Sequence, residues 1–306
     1  MDHIPIVKFQ DVQAFCQQSS RLSFFNSPWL SHHQGLAIDI YDGFFGEEAC
    51  SPVEGEILAI KRFHSPESRY FKNYPWEWGI LIVPFDNGTI CFKLLHVKPM
   101  IEEGEEIHVG TPIGNYIRTG YFEPWTGPHL HLEIRSKTSS LNAMFRASGA
   151  LRFESLVEPE ANLNPTEELV GQVQQVNSHF ISVQFGDEEM KHGWGGFTAK
   201  IGSNVCLIDA SFAYYDGFGG VLGNTRNIFP GAPIVVENLI IGHIIRLLGS
   251  KRAIGQFLPI QISVNKEKVL GLSLGTTFAA NRLKIVDRYL NRLDLEEGDE
   301  VTIKIL

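Results

Sequence analysis

Two histidines and a glutamate alternate along one short stretch, Gly127-Pro128-His129-Leu130-His131-Leu132-Glu133-Ile134-Arg135. In an extended strand successive side chains point to opposite faces, so His129, His131 and Glu133 share one face while Leu130, Leu132 and Ile134 share the other. The first face is a polar site and the second is core. Imidazoles two residues apart on a strand stand about 7 Å from each other, and each can bind a metal or shuttle a proton near neutral pH. The uneventful alternative is a pair of surface histidines on an edge strand, and what separates the two readings lies upstream.

There, Ser31-His32-His33-Gln34-Gly35 leads into Leu36-Ala37-Ile38-Asp39-Ile40-Tyr41, an apolar strand pattern interrupted by one carboxylate. An unpaired charge buried in such a strand costs several kcal/mol, so Asp39 needs a partner, and a cation would serve. His33 and Asp39 are six residues apart, roughly 20 Å in a fully extended chain. They can reach one ion only if the chain turns back between them, and Gly35 is where that bend belongs. One of His32 and His33 is expected in a solvated loop. Further on, His96 is the polar group that closes the apolar run Lys93-Leu94-Leu95; a lone histidine in that setting is more often structural than functional.

The elements that must carry these residues are strands. Turn residues punctuate the chain at Tyr41-Asp42-Gly43, Glu54-Gly55-Glu56, Phe85-Asp86-Asn87-Gly88 and Glu102-Glu103-Gly104-Glu105. Trp78 to Pro84 and Thr89 to His96 flank Asp86-Asn87-Gly88 as a hairpin, and no long helical period runs between residues 36 and 135. The first half therefore reads as an antiparallel β domain. Asp11 is placed to cap a brief helix over Val12 to Cys16, and Ser136 to Arg146 reads as a loop entering a short helix.

Taken together, residues 31 to 135 resemble the lysostaphin/LytM-type zinc endopeptidases, best known for cutting peptide cross-bridges of bacterial cell walls. His33-Gln34-Gly35 with Asp39 is similar to the family's His-x-Gly…Asp element, and Ser51-Pro52-Val53-Glu54-Gly55-Glu56-Ile57 to its Pro-Val…Gly-x-Val hairpin. Lys93-Leu94-Leu95-His96 falls where the family has an isolated histidine. Glu103-Gly104-Glu105-Glu106-Ile107 and Gly110-Thr111-Pro112-Ile113-Gly114 are similar to the turn-rich stretch that follows, and Thr119-Gly120 with Thr126-Gly127-Pro128-His129-Leu130-His131-Leu132-Glu133 to the signature. Each piece is weak alone; in the right order they reinforce one another.

The resemblance implies that His33, Asp39 and His131 hold a zinc ion, Zn2+, with His129 and His96 beside its open position as catalytic residues. Three nitrogen and oxygen ligands leave a fourth position for water, as a catalytic zinc requires. No His-Glu-x-x-His helix is present, so a histidine has to take the proton of the attacking water. His129 suits that role; His96 suits oxyanion stabilisation or protonation of the departing amine. Glu133 could orient a ligand imidazole. Two departures stand out. The interval from the first histidine to the aspartate is two residues longer than the family's usual spacing, which keeps His32 open as a ligand, although Gly35 then favours His33. Tyr121-Phe122-Glu123-Pro124-Trp125 is also longer and more aromatic than is usual there, suited to substrate contact or to packing.

The 306 residues suit two domains, expected as 1–158, peptidase-like, and 159–306, a separate α+β, β-rich domain of unassigned role. The whole is expected to be mostly β. In the second half, strands are expected over Leu169 to Val176, Phe180 to Phe185, Val205 to Ile208, Pro233 to Val236, Phe257 to Val264 and Val301 to Leu306. A helix is expected within Phe278 to Leu293, with Leu283, Val286, Tyr289, Leu290 and Leu293 on one face. The glycine-rich Gly193-Trp194-Gly195-Gly196 and Asp216-Gly217-Phe218-Gly219-Gly220 read as turns, and His179, His192 and His243 have no metal-like spacing.

Net charge is −9, from 26 basic and 35 acidic residues, with the basic residues scattered. That argues against a nucleic-acid partner or an anionic membrane surface. Cys16, Cys50, Cys91 and Cys206 show no Cys-x-x-Cys spacing and read as free thiols. No apolar run reaches the roughly 18 residues that span a bilayer, and the N-terminus lacks the pattern of a secretory signal, so a cytoplasmic location is expected. The sequence thus points to a zinc endopeptidase with a peptide substrate. A catalytically silent relative that binds peptide or protein through the same cleft is the alternative. A lipoyl-like carrier shares the paired-hairpin pattern but leaves the histidines unexplained.

Overall fold

The computed structural model describes residues 3–160, 165–186, 193–212 and 214–306, and the chain divides into two compact units. The first comprises Met1–Leu22 and Leu36–Leu156, the second Ser23–Gly35 and Val157–Leu306. The protein is mostly β, built from antiparallel sheets.

In the first unit, six strands form the sheet that matters for chemistry: β1 (Ala37–Tyr41), β2 (Gly55–His64), β3 (Trp76–Val83), β4 (Ile90–Leu95), β5 (Glu106–Ile107) and β6 (His129–Ser136). Their spatial order is β5-β2-β3-β4-β6-β1, every neighbour antiparallel. The central β6 is a run of hydrophobic and polar residues buried on both faces, which is why its alternating histidines end up inside rather than on a wet edge. Register fixes the rest: His131 lies directly opposite Asp39 on one side and Leu95 on the other. Gly55 opens β2 at φ +151, where a Cβ would meet the Val83 carbonyl oxygen at 2.1 Å, so only glycine lets β2 and β3 close at that corner.

Two small sheets complete this unit, one of His3–Phe9, Val12–Gln17 and Glu154–Ser155, the other of Glu48–Cys50, Val97–Pro99 and Pro112–Tyr116. The brief helix expected after Asp11 is instead the second strand of a hairpin. Val12, Ala14 and Cys16 are buried in strict alternation, and that period of two, realised against His3–Phe9, outweighs the capping potential of Asp11. The short helix expected beyond Ser136 is present as Leu141–Met144, capped by the Ser140 side chain.

In the second unit, Thr198–Ile201, Pro233–Val236, Leu239–Leu247, Arg252–Phe257, Phe218–Leu222 and Asn204–Phe212 pair in that order, and the last pairs back with the first, closing a barrel. Asn204–Phe212 then runs on into a second array through Ser211 opposite Ser273 and Phe212 opposite Leu272. That array continues through Gly271–Leu274, Arg282–Val286, Ile181–Phe185, Glu168–Val176, Glu300–Ile305, Ile262–Val264 and Glu267–Val269. The helix expected over Phe278 to Leu293 is not formed. Leu283 and Ile285 are buried and alternate with the more exposed Arg282 and Lys284, and Arg282–Val286 is hydrogen-bonded to a strand on each side. Asp287 then ends the strand by accepting from the backbone N–H groups of Leu270 and Tyr289. Phe257 to Val264, expected as one strand, is two, broken around Pro259. His192 and Ala161 to Asn164 of the expected linker lie outside the described residues.

Phe212 sits where barrel and second array share a strand, fully buried, with its ring 6.1 Å from that of Phe197 and 5.7 Å from that of Phe257. Phe212→Ala is expected to destabilise the second unit by about 3–5 kcal/mol, seen as a lowered urea midpoint of the full chain.

Candidate metal centre

Asp39 and His131 face each other across the β1–β6 pair, and the Asp39 carboxylate accepts from the His131 ring, Oδ1 to Nδ1 at 2.9 Å. The other ring nitrogen donates to Glu133, Nε2 to Oε1 at 3.0 Å. Both nitrogens therefore face carboxylates, which asks both to carry protons. Burial pulls the His131 pKa down, but the hydrogen bonds and charges of Asp39 and Glu133 outweigh it and lift the ring to about 9. Glu133 sits low in turn: burial would raise it, but His131, Lys93 and Arg135 hold it well below the usual carboxylate range. Lys93 reaches it at 3.3 Å, Arg135 bonds to it directly, and both cations also donate to the Arg146 carbonyl.

His129, two residues before His131 on the same face, differs in kind. Its Nδ1 lies 2.9 Å from the Gly127 carbonyl oxygen, which can only accept, so Nδ1 carries the proton and Nε2 the lone pair. That Nε2 stands 3.7 Å from Asp39 Oδ2. Burial, against the pull of Asp39 and reinforced by the neighbouring imidazoles of His96 and His131, pushes the His129 pKa down to about 3, so this ring is neutral. Its flanks are aromatic: Tyr41 at 4.7 Å and Phe122 at 4.8 Å between ring centroids.

His96 follows β4 directly and turns its ring into the same group, with centroids 4.8 Å from His129 and 5.9 Å from His131. Its backbone φ is +74, a left-handed conformation that a non-glycine residue adopts only where surrounding structure enforces it.

His32 and His33 belong to the short helical turn Leu30–His33. Within the second unit, the segment carrying them is held by Asp209, fully buried, whose carboxylate accepts from Ser23 Oγ at 2.9 Å and from the backbone N–H groups of Phe24 and Phe25. Arg252 donates to the Gly35 carbonyl at 3.0 Å. Gly35 has φ +67, the expected bend. His32 Nδ1 donates to the Phe24 carbonyl at 2.9 Å, which makes Nε2 its lone-pair nitrogen. His33 is exposed and stacks on Phe218 with centroids 3.9 Å apart.

His32, Asp39 and His131 are all buried. Of the two histidines before Gly35, His32 is the buried one and His33, favoured from the spacing, is the exposed one. Two imidazole nitrogens and a carboxylate oxygen are a zinc donor set. Bonds of about 2.0–2.2 Å put tetrahedral ligands about 3.4 Å apart, and Asp39 Oδ1 and His131 Nδ1, 2.9 Å from each other, stand near that separation. Of the residues named from sequence, the first unit brings together Asp39, His96, His129 and His131, and Glu133 bonds to His131. Sequence reasoning missed Glu77, Lys93 and Arg135. Glu77 carried a usable signal, since it lies on the buried face of Trp76–Val83 with Leu81, as Asp39 does in its own apolar strand.

A buried cluster of this composition is a candidate metal centre. The family model described as "Domain of unknown function (DUF8155) N-terminal domain" matches residues 11–155. No curated protein matches the chain. Among solved structures, the catalytic domain of the antimicrobial peptidase lysostaphin from Staphylococcus simulans, crystallized in the absence of phosphate, is 22% identical, covering 42% of this chain and 86% of that one at a TM-score of 0.28. The NMR solution structure of lysostaphin is 14% identical, covering 78% and 87% at 0.28. The antimicrobial peptidase lysostaphin from Staphylococcus simulans is 14% identical, covering 80% and 88% at 0.27. Superpositions of that quality do not equate folds. Among the described residues no helix is long and apolar enough to cross a membrane.

The raised His131 pKa has a measurable consequence. A folded-state value near 9 against 6.5 for the ordinary group means its contribution to stability is complete below pH 6.5 and is lost as pH rises through 9. A metal at Nδ1 requires that proton to leave. Zinc affinity is therefore expected to rise across pH 6.5 to 9, by up to about tenfold per pH unit for one displaced proton, in competition titrations with a chromogenic chelator. An affinity flat over that range would remove His131 from the ligand set.

Proposed function

We propose that this chain is a zinc-dependent endopeptidase in which His32, Asp39 and His131 hold the ion while His129 and His96 handle protons and charge. The observation that carries the reading is the pairing of two ligand atoms, Asp39 Oδ1 and His131 Nδ1 at 2.9 Å, beside two further imidazoles whose Nδ1 atoms are already committed elsewhere. When bound, zinc supplies an activated water and a polarised carbonyl.

The remaining chemistry falls to the protein's own side chains. Neutral His129 offers its Nε2 lone pair at 3.7 Å from Asp39 Oδ2, placed to accept the proton of a water bound at that edge. His96 presents its Nε2 from the other side, toward the oxygen that gains charge or the amine that leaves. Glu133 fixes the ligand ring of His131 through Nε2, leaving Nδ1 as the ligating nitrogen. Phe122 and Tyr41 flank the His129 ring and Phe122 also meets His96, apolar surroundings that favour the neutral form of the base. The substrate class is a peptide. The acidic chain, at −9, disfavours nucleic acid.

One observation favours the second reading, a silent peptide-binding module: Asp39, His131, Glu133, Lys93 and Arg135 form an ion-paired network that balances its own charges. Metal content decides between the two. The full chain is expected to carry about one zinc, as a single ion in a three-ligand catalytic site requires, and His131→Ala to lose most of it, by elemental analysis. A peptide-library screen with and without chelator then tests cleavage. His129→Ala is expected to retain zinc while turnover falls at least ~100-fold; full activity of that variant on a cleaved peptide would refute the assigned role.

A further inference from the structure

Glu77 is buried to 1% exposure, and both of its carboxylate oxygens are occupied by donors. Oε1 accepts from the backbone N–H of His96 at 2.9 Å and of Trp78 at 2.9 Å. Oε2 accepts from His96 Nδ1 at 2.6 Å and from Thr119 Oγ1 at 3.0 Å. Burial alone would raise the Glu77 pKa; the charge and hydrogen bond of His96 and the two backbone donors outweigh it and keep the carboxylate ionised. One carboxylate thus grips His96 twice, at the ring and at the backbone, and the backbone grip falls on the residue at φ +74.

The two histidines beside the ligands consequently differ in one respect. His129 Nδ1 donates to a neutral carbonyl, whereas His96 Nδ1 donates to an ionised carboxylate. A positive charge appearing on His96 meets a counter-charge 2.6 Å away; one appearing on His129 has its nearest carboxylate oxygen at 3.7 Å, and Asp39 is itself assigned to metal. We propose that Glu77 is the positioning residue of the site, clamping His96 with Nε2 toward the reacting atoms and making it the histidine that carries the proton to the leaving amine. This inference rests on the peptidase reading and adds to it a division of labour between the two imidazoles. The step balances: His96 first takes a proton from solvent at Nε2 while its Nδ1–H stays on Glu77, and that Nε2–H bond then breaks as the amine nitrogen, keeping the electron pair of the cleaving C–N bond, takes the proton, leaving His96 neutral and still bonded to Glu77.

Two measurements on the full chain test it. Nitrogen-15 NMR of the metal-free wild type should show His96 with its proton on Nδ1 in the neutral form; a proton on Nε2 overturns the clamp, with no dependence on activity. On a peptide that the wild type cleaves, Glu77→Gln keeps an oxygen acceptor but removes the counter-charge. Its kcat is expected to fall about 10²- to 10⁴-fold, the range spanned by proton-transfer groups and the orienting carboxylate of catalytic triads. KM should stay within about twofold and zinc content unchanged, as uniform binding is untouched. A kcat within about twofold of wild type overturns the proposal. Glu77→Asp, which keeps the charge, is expected to recover more kcat than Glu77→Gln, and equal loss in both overturns it. Should Glu77→Gln fail to fold, the wild-type tautomer and Glu77→Asp decide. A wild type that cleaves no peptide refutes the peptidase reading while the tautomer still reports on the clamp.

Discussion

The imidazole of His131, enclosed between the carboxylates of Asp39 and Glu133, is the interaction on which the first unit turns. A lone buried ion costs several kcal/mol, and a buried pair is tolerated only when every remaining polar atom is also bonded. Here the carboxylates surround a ring that can donate twice, and Glu133 is balanced further by Lys93 and Arg135, themselves bonded to the Arg146 carbonyl. Such a network tolerates no slippage. Because strand side chains alternate, a one-residue shift of β6 against β1 would send His131 to the apolar face and Leu132 opposite Asp39. The apolar residues of β6, Leu130, Leu132 and Ile134, are all buried and hold that register from the other side of the sheet.

The same network sets what the centre can do. His131 is committed through both nitrogens, and the environments of the neighbouring imidazoles separate them. His129 lies among aromatic rings with a carbonyl for its Nδ1, a setting that keeps it neutral. His96 lies against an ionised glutamate and in a strained backbone conformation. Strain at a non-glycine residue persists only where other bonds over-determine it, and the His96 N–H to Glu77 bond is one of them. Two identical side chains thus become chemically distinct through the acceptors behind them, the usual way a protein assigns acid and base roles at one pH.

Much of this could be read in the chain before any coordinates. The alternation His129-Leu130-His131-Leu132-Glu133 specifies a strand with one polar face, and Asp39 within an apolar strand announces a buried charge that needs a partner. Asp86-Asn87-Gly88 marks the β3–β4 turn, and Pro233–Val236 matches the expected strand to the residue. What failed did so for a common reason. Val12–Gln17 and Arg282–Val286 carry apolar residues at positions that satisfy more than one period, and local pattern cannot say which neighbours the strand will find. Once Arg282–Val286 is flanked by Ile181–Phe185 and Gly271–Leu274, the period of two is imposed by pairing. Glu77 falls just before the strand expected from Trp78 to Pro84, whereas the strand formed begins at Trp76, and its position in that alternation holds the same message as Asp39.

The choice between His32 and His33 shows where local spacing runs out. Counting back from Gly35 favours His33, since a motif treats the chain as a string. Which of two adjacent histidines turns inward depends instead on how the turn Leu30–His33 is anchored, and its anchor lies far along the sequence. Asp209 receives the Phe24 N–H from 185 residues away, fixing the segment whose Phe24 carbonyl then takes the His32 Nδ1 proton. Phe218 meanwhile offers a flat face on which His33 stacks. Two adjacent side chains on a helical turn diverge by about 100°, so once one is tethered inward the other must point elsewhere. The selection is made by a buried carboxylate and an aromatic ring in the second unit, neither of which any spacing rule within residues 31 to 39 contains.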